Sequence, residues 1–259
     1  MSRYGWTVIA ERRMRSIAAL VRLFRIRFRI HYTWLFAIIL IPVAVITQFS
    51  ATYPLWQRAV LGVFASFLFF VAITLRELVI NFIAVRRGVK VDNVTLFVFG
   101  GLSQADKETT SPSVELLLAV SGQLFNVMVA GVFSVIYFVL KDTEHIMVQV
   151  LMQWLAFIWF MLAILHFVPG LPLDGGRVLR AVLWRLHIGY EKATRIAGWT
   201  GWAIGLATTA GAIVLLVMTR ELFAGILLVV TGILLQNAAT YSRRRGQESL
   251  VSDVQMPGS

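Results

Sequence analysis

Six stretches of this chain are apolar over lengths near the roughly 20 helical residues needed to cross about 30 Å of hydrocarbon. They run over residues 31–49, 59–85, 116–140, 146–167, 196–219 and 222–242. So many apolar runs leave a soluble fold too little polar sequence for its surface. Only 14% of the residues are charged and 58% are hydrophobic, where a soluble domain is charged at roughly one position in four. The expected class is an all-α polytopic membrane protein with six transmembrane helices.

The basic residues set its orientation. Of 24 Lys and Arg, eight precede the first run, four lie between Arg86 and Lys107, five between Arg177 and Arg195, and three at Arg243, Arg244 and Arg245. The alternate loops hold only Arg58, Lys141 and Arg220. By the positive-inside rule both termini face the cytoplasm. The net charge of +11 is therefore expected to meet anionic lipid and not nucleic acid. Absence of cysteine excludes disulfides, thiolate zinc sites and a cysteine nucleophile.

Three regions are expected: a basic cytoplasmic or interfacial segment over 1–30, a membrane domain over 31–242 and a short cytoplasmic tail over 243–259, with no appended soluble domain. The first thirty residues read as retained sequence, since no small-residue cleavage pattern follows the apolar run. From Phe24 to Ile30 apolar residues alternate with Arg25, Arg27 and Arg29, a period of two that favours a strand with its Arg face toward headgroups. A basic juxtamembrane helix over 5–23 is the alternative further upstream. Val91 to Gly101 is rich in β-branched and aromatic residues and closes on Gly-Gly, which predicts a strand and a small interfacial or re-entrant hairpin.

Three places combine polar chemistry with membrane depth. Arg76 and Glu77 are the charged pair inside the second run, too costly to face lipid and so expected toward protein or a hydrated cavity. The segment from Leu165 to Arg177 carries Pro169, Pro172, Gly170, Gly175 and Gly176, which interrupt the fourth run and present Asp174 near the inner face. Gly122, Gln123 and Asn126 form the third, where a small residue permits close helix approach and amides can bond across helices. His31 reads as an interfacial anchor with Tyr32 and Trp34; His145 and His187 fall in loops with no visible constellation.

These residues carry a specific resemblance. Pro172-Leu173-Asp174-Gly175-Gly176-Arg177-Val178-Leu179-Arg180-Ala181 resembles the signature of the site-2 protease family of intramembrane zinc metalloproteases. Ile26 to His31 is similar to the strand that introduces that family's first span, and Leu96 to Gly101 to its Leu-Phe-x-Phe-Gly-Gly hairpin. An Arg-Arg turn follows the second span in both. The likeness runs from about Phe24 to about Arg185, with motif order and spacing in agreement.

In that family the second span bears H-E-x-x-H: two His one turn apart bind zinc, a carboxylate from the Leu-Asp-Gly segment is the third protein ligand, and the Glu activates bound water. Here the run is Arg76-Glu77-Leu78-Val79-Ile80. Arg76 and Ile80 stand where the His ligands belong, and neither offers a lone pair to a metal. Glu77 keeps the place of the general base and Asp174 that of the acidic ligand. The family's Gly-Pro-x-x-Asn becomes Gly122-Gln123-x-x-Asn126, and the Asn usual in the fourth span is His166.

Read as chemistry, this is a charge replacement. Zn²⁺ would neutralise Asp174 and Glu77; Arg76 neutralises one of them, and a protonated His166 would neutralise the other. The resemblance thus implies a zinc-free pseudoprotease in a prokaryotic cell membrane, with no cofactor, whose partners are the lipid bilayer and transmembrane segments of client proteins. Leu96, Phe97, Val98, Phe99, Gly100, Gly101 and Asn126 would bind the client, the strand by backbone pairing. The alternative is an active intramembrane zinc metalloprotease whose ligand set is drawn from Glu77, His166 and Asp174. A transporter is disfavoured because no inverted repeat relates the two halves.

Overall fold

The computed structural model describes residues 27–30, 33–49, 53–97, 100–105, 111–220 and 222–255. Chain order is β1 (Arg27–Ile30), α1 (Thr33–Gln48), α2 (Leu55–Arg86), β2 (Val91–Phe97), β3 (Gly100–Ala105), α3 (Pro112–Leu140), α4 (Ile146–His166), α5 (Asp174–Leu183), a π-helical turn (Trp184–Ile188), α6 (Tyr190–Thr219) and α7 (Leu222–Gln255). Helices dominate for a physical reason: an apolar segment in lipid must satisfy every backbone N–H and C=O within itself.

Among the described residues four helices, α2, α3, α4 and α6, are long and apolar enough to cross a membrane. The first apolar run gives α1, with 16 residues, about 24 Å at 1.5 Å per residue. The last lies inside α7, which continues past it to Gln255. Helix ends and apolar ends do not coincide. α2 begins ahead of Ala59 and α6 ahead of Ile196, because adding a residue to an existing helix needs no apolar side chain.

The strands form one sheet in the order β1-β2-β3. β1 pairs parallel to β2, with Arg27 opposite Asn93 and Ile30 opposite Leu96, and β2 pairs antiparallel to β3, with Val94 opposite Ser103 and Leu96 opposite Gly101. Val98 and Phe99, the helix expected over 5–23, and the upstream half of the Phe24–Ile30 alternation lie outside the described residues. So do the side chains of 95–101.

The residues divide into two compact units, one within Met1–Thr110 and Leu124–Ala163, the other within Ser111–Gln123 and Ile164–Ser259. In the first, α1 and α2 meet where a Cβ on Gly62 would lie 2.9 Å from the Pro42 Cα, and Phe69 of α2 packs its ring 5.7 Å from that of the fully buried Trp159 of α4. In the second, α6 and α7 approach through Gly205 and Gly232, and Gln236 Nε2 donates to Thr209 Oγ1 at 3.0 Å. Small residues bring the backbones close and the side-chain bond joins the helices, a pairing suited to lipid, where apolar contact alone gives helices little reason to associate.

Candidate functional site

The buried positions of α2 recur at helical spacing: Ile73, Arg76, Glu77, Ile80, Asn81 and Ala84. This places the charged pair on the inward stripe, with Arg76 3% and Glu77 1% exposed. Arg76 Nη1 donates to Glu77 Oε1 at 2.5 Å. One turn along, Asn81 Nδ2 donates to the Glu77 backbone oxygen at 2.7 Å. Ile80 is buried four residues after Arg76, hence on the same side of the helix.

That geometry tests the stripe for zinc. One oxygen of the only carboxylate is held by a guanidinium, the position one turn on has no donor atom, and Arg keeps its proton at any accessible pH. These residues do not fit a catalytic zinc, which takes three protein ligands beside its water. No group of three or more His, Cys, Asp or Glu that could hold a metal occurs among the described residues.

Asp174 and His166 belong to the second unit. Past His166, the last residue of α4, the chain breaks at Pro169 and Pro172 and resumes as α5 at Asp174. Turn bonds satisfy backbone groups released by the break: Gly170 N–H donates to Val168 O at 2.8 Å and Leu173 N–H to Gly170 O at 3.0 Å. The break is seated on α6, where Leu171 N–H donates to Ala197 O at 2.9 Å. A Cβ on Gly201 would meet the Leu171 carbonyl oxygen, so this face of α6 must be bare for the turn to fit. Asp174 thereby opens α5, where the helix dipole favours an anion. Both Asp174 and His166 are buried.

Asn126 of α3 is fully buried, and neither polar atom of its amide has a hydrogen-bond partner among the described residues. Gln123, three positions earlier, is half-buried. The structure thus sets Arg76, Glu77 and Ile80 on one buried stripe of α2, buries Asn126, Asp174 and His166, and places Leu96 and Phe97 in β2 and Gly100 and Gly101 in β3.

Two features escaped the sequence reading. Asn81 is one; its spacing of four from Glu77 was the available signal. The other is an ion pair between Arg180 Nη2 of α5 and Glu115 Oε1 in the first turn of α3. The Tyr190 ring lies 5.0 Å from the same guanidinium. Burial pulls the Arg180 pKa down, but the charge of Glu115 more than offsets it, and the net shift is upward. By sequence Arg180 counts only among the cytoplasmic basic residues; nothing local marks a carboxylate so far away in sequence as its partner.

Comparison with known proteins bears on this arrangement. The family model for peptidase family M50 matches residues 20–208. Rip3 of Mycobacterium tuberculosis, named as a zinc metalloprotease, is 30% identical over 206 residues, which are 75% of this chain and 52% of that protein. A similarly named protein of Synechocystis, sll0528, is 29% identical over 226 residues, 85% of this chain and 58% of that one. This chain therefore spans about half the length of the curated relatives it matches. Among solved structures, the site-2 protease from Methanocaldococcus jannaschii superposes with a TM-score of 0.63 at 24% identity, covering 85% of this chain and 91% of that one, and shares the fold. With the family model matching well over half of its length, the chain belongs to peptidase family M50, the site-2 protease family.

Proposed function

We propose that this protein is a zinc-free pseudoprotease that holds transmembrane segments of client proteins without cutting them. The observation that carries the reading is the buried Arg76–Glu77 pair at 2.5 Å, standing where the family's metal-binding helix would present its first ligand and its general base. A buried charge persists when it is paired. Arg76 offsets the negative charge of Glu77, and the family's motif order assigns Asp174 to the same charge set. What remains available to a client is the sheet. Leu96 and Phe97 lie in the central strand β2, where Leu96 is paired on both sides, so among the described residues the edge that an extended segment would meet is β3, which begins at Gly100 and Gly101. Metal analysis of the full chain, purified without chelator, is expected to find far less than one zinc per chain. About one zinc per chain, lost on Asp174→Ala, would replace this reading with the active metalloprotease built on Glu77, His166 and Asp174.

The proposed arrangement in the membrane has six spans, α1 and the first part of α7 joining the four longer helices, with both termini in the cytoplasm. It rests on the uneven distribution of Lys and Arg among the loops. The absence of native cysteine makes the test clean. Cysteines introduced at Asp142 and at Arg185, both exposed, should differ under an impermeant thiol reagent applied to intact cells. Asp142→Cys is expected to label and Arg185→Cys to remain unlabelled; the reverse pattern would invert the orientation.

A further inference from the structure

The outward face of α6 is a single graded stripe. Lys192, Arg195, Ile196, Trp199, Ala203, Leu206, Ala210, Ile213, Val214 and Val217 are all exposed and recur at the three- and four-residue spacing that puts them on one side of a helix. Charge is confined to its first two turns, an aromatic follows, and apolar side chains continue to the far end. The opposite side is buried and made of small residues, Ala193, Ala197, Gly201 and Gly205 among them. Trp199 is 52% exposed and stands edge-on to Trp202 at 5.5 Å.

Neither Lys192 nor Arg195 makes an ion pair among the described residues. Lys192 sits in the first turn of the helix, where the dipole opposes positive charge and favours anions such as Glu191. An external anion at this position would offset the helix dipole as well as the two side chains. The stripe states what that anion is attached to, because seven residues beyond Lys192, about 10 Å along the axis, the face becomes aromatic and then wholly apolar. A free anion has no use for such a face, and an acyl chain does.

We propose that the first turns of α6 form a docking site for an anionic phospholipid, with Lys192 and Arg195 on the phosphate-bearing headgroup, Trp199 at the level of the glycerol backbone, and the acyl chains along Ala203 to Val217. Tryptophan is enriched at this depth because one edge of its ring is polar and its body is not. The site is independent of whether the protein binds zinc. The test uses the full chain in mild detergent, titrated with phosphatidylglycerol or with phosphatidylcholine, the bound lipid being counted by native mass spectrometry. The wild-type protein should retain phosphatidylglycerol at about one-thirtieth the concentration needed for phosphatidylcholine, the scale set by two basic residues at an anionic surface. Lys192→Gln with Arg195→Gln should remove most of that preference, while Lys141→Gln with Arg220→Gln should leave it intact. An unchanged preference in the first variant would overturn the proposal. A photoactivatable phosphatidylglycerol offers a check needing no variant: adducts are expected between Tyr190 and Trp202, and labelling confined to other segments would equally overturn it.

Discussion

The double variant Arg76→His with Ile80→His is expected to bind about one zinc per chain, because the family resemblance supplies Asp174 as a third ligand to the two new imidazoles and three protein ligands make a catalytic-type site. α2 runs unbroken from Leu55 to Arg86, so two imidazoles at 76 and 80 stand one turn apart on the same side of the helix. Both positions are buried on the stripe that carries Glu77, and removing Arg76 releases the Glu77 oxygen that it holds. Metal analysis after extensive dialysis is the measurement, with the unmodified chain and the double variant carrying Asp174→Ala as references. A folded double variant without zinc would reject the assignment of Asp174 and the stripe to one site. Peptide cleavage is not required to return, since Gln123 and His166 also depart from the family's pattern.

Arg76→Ala is expected to destabilise the protein by about 3–5 kcal/mol, the usual cost of leaving a buried charge without its partner. The loss falls on Glu77, whose second carboxylate oxygen already has no hydrogen-bond partner among the described residues. Combining Arg76→Ala with Glu77→Gln should recover part of the loss, with a coupling energy of roughly 0.5–3 kcal/mol between residues in contact. A reversible unfolding titration in detergent would measure all four corners of the cycle. Strict additivity would show that the pair contributes nothing beyond its separate burial. A parallel cycle of Arg76→Ala with Asp174→Ala tests whether Arg76 also serves Asp174: partial recovery is expected, and additivity there would remove Asp174 from the charge set.

Both experiments depend on residues that the sequence already singles out, and the reason is local. The membrane class is legible because about 20 consecutive apolar residues have few other uses. The Arg76, Glu77 and Ile80 stripe is legible because a helix fixes which side chains share a face once its register is known. The family resemblance adds the motif order, and the fold agrees with it. Helix ends were less legible: α6 extends back to Tyr190 through Lys192 and Arg195, polar residues that lengthen a helix without lengthening its apolar core. That extension is what puts two cations and Trp199 on one continuous stripe.

What only the tertiary structure decided is pairing through space. Leu171 and Ala197 bond through their backbones, and the fit depends on Gly201 having no Cβ, a requirement visible only when the turn lies against α6. Arg180 finds Glu115, so a residue that counts toward orientation by its charge is an internal ion pair by its contacts. β1 pairs parallel to β2 across an intervening pair of helices, a register that the Phe24–Ile30 alternation alone does not specify. Sequence determines these choices only through the chain reversals that bring distant residues together. Periodicity reports the face a side chain occupies, and the folded chain alone reports what that face meets.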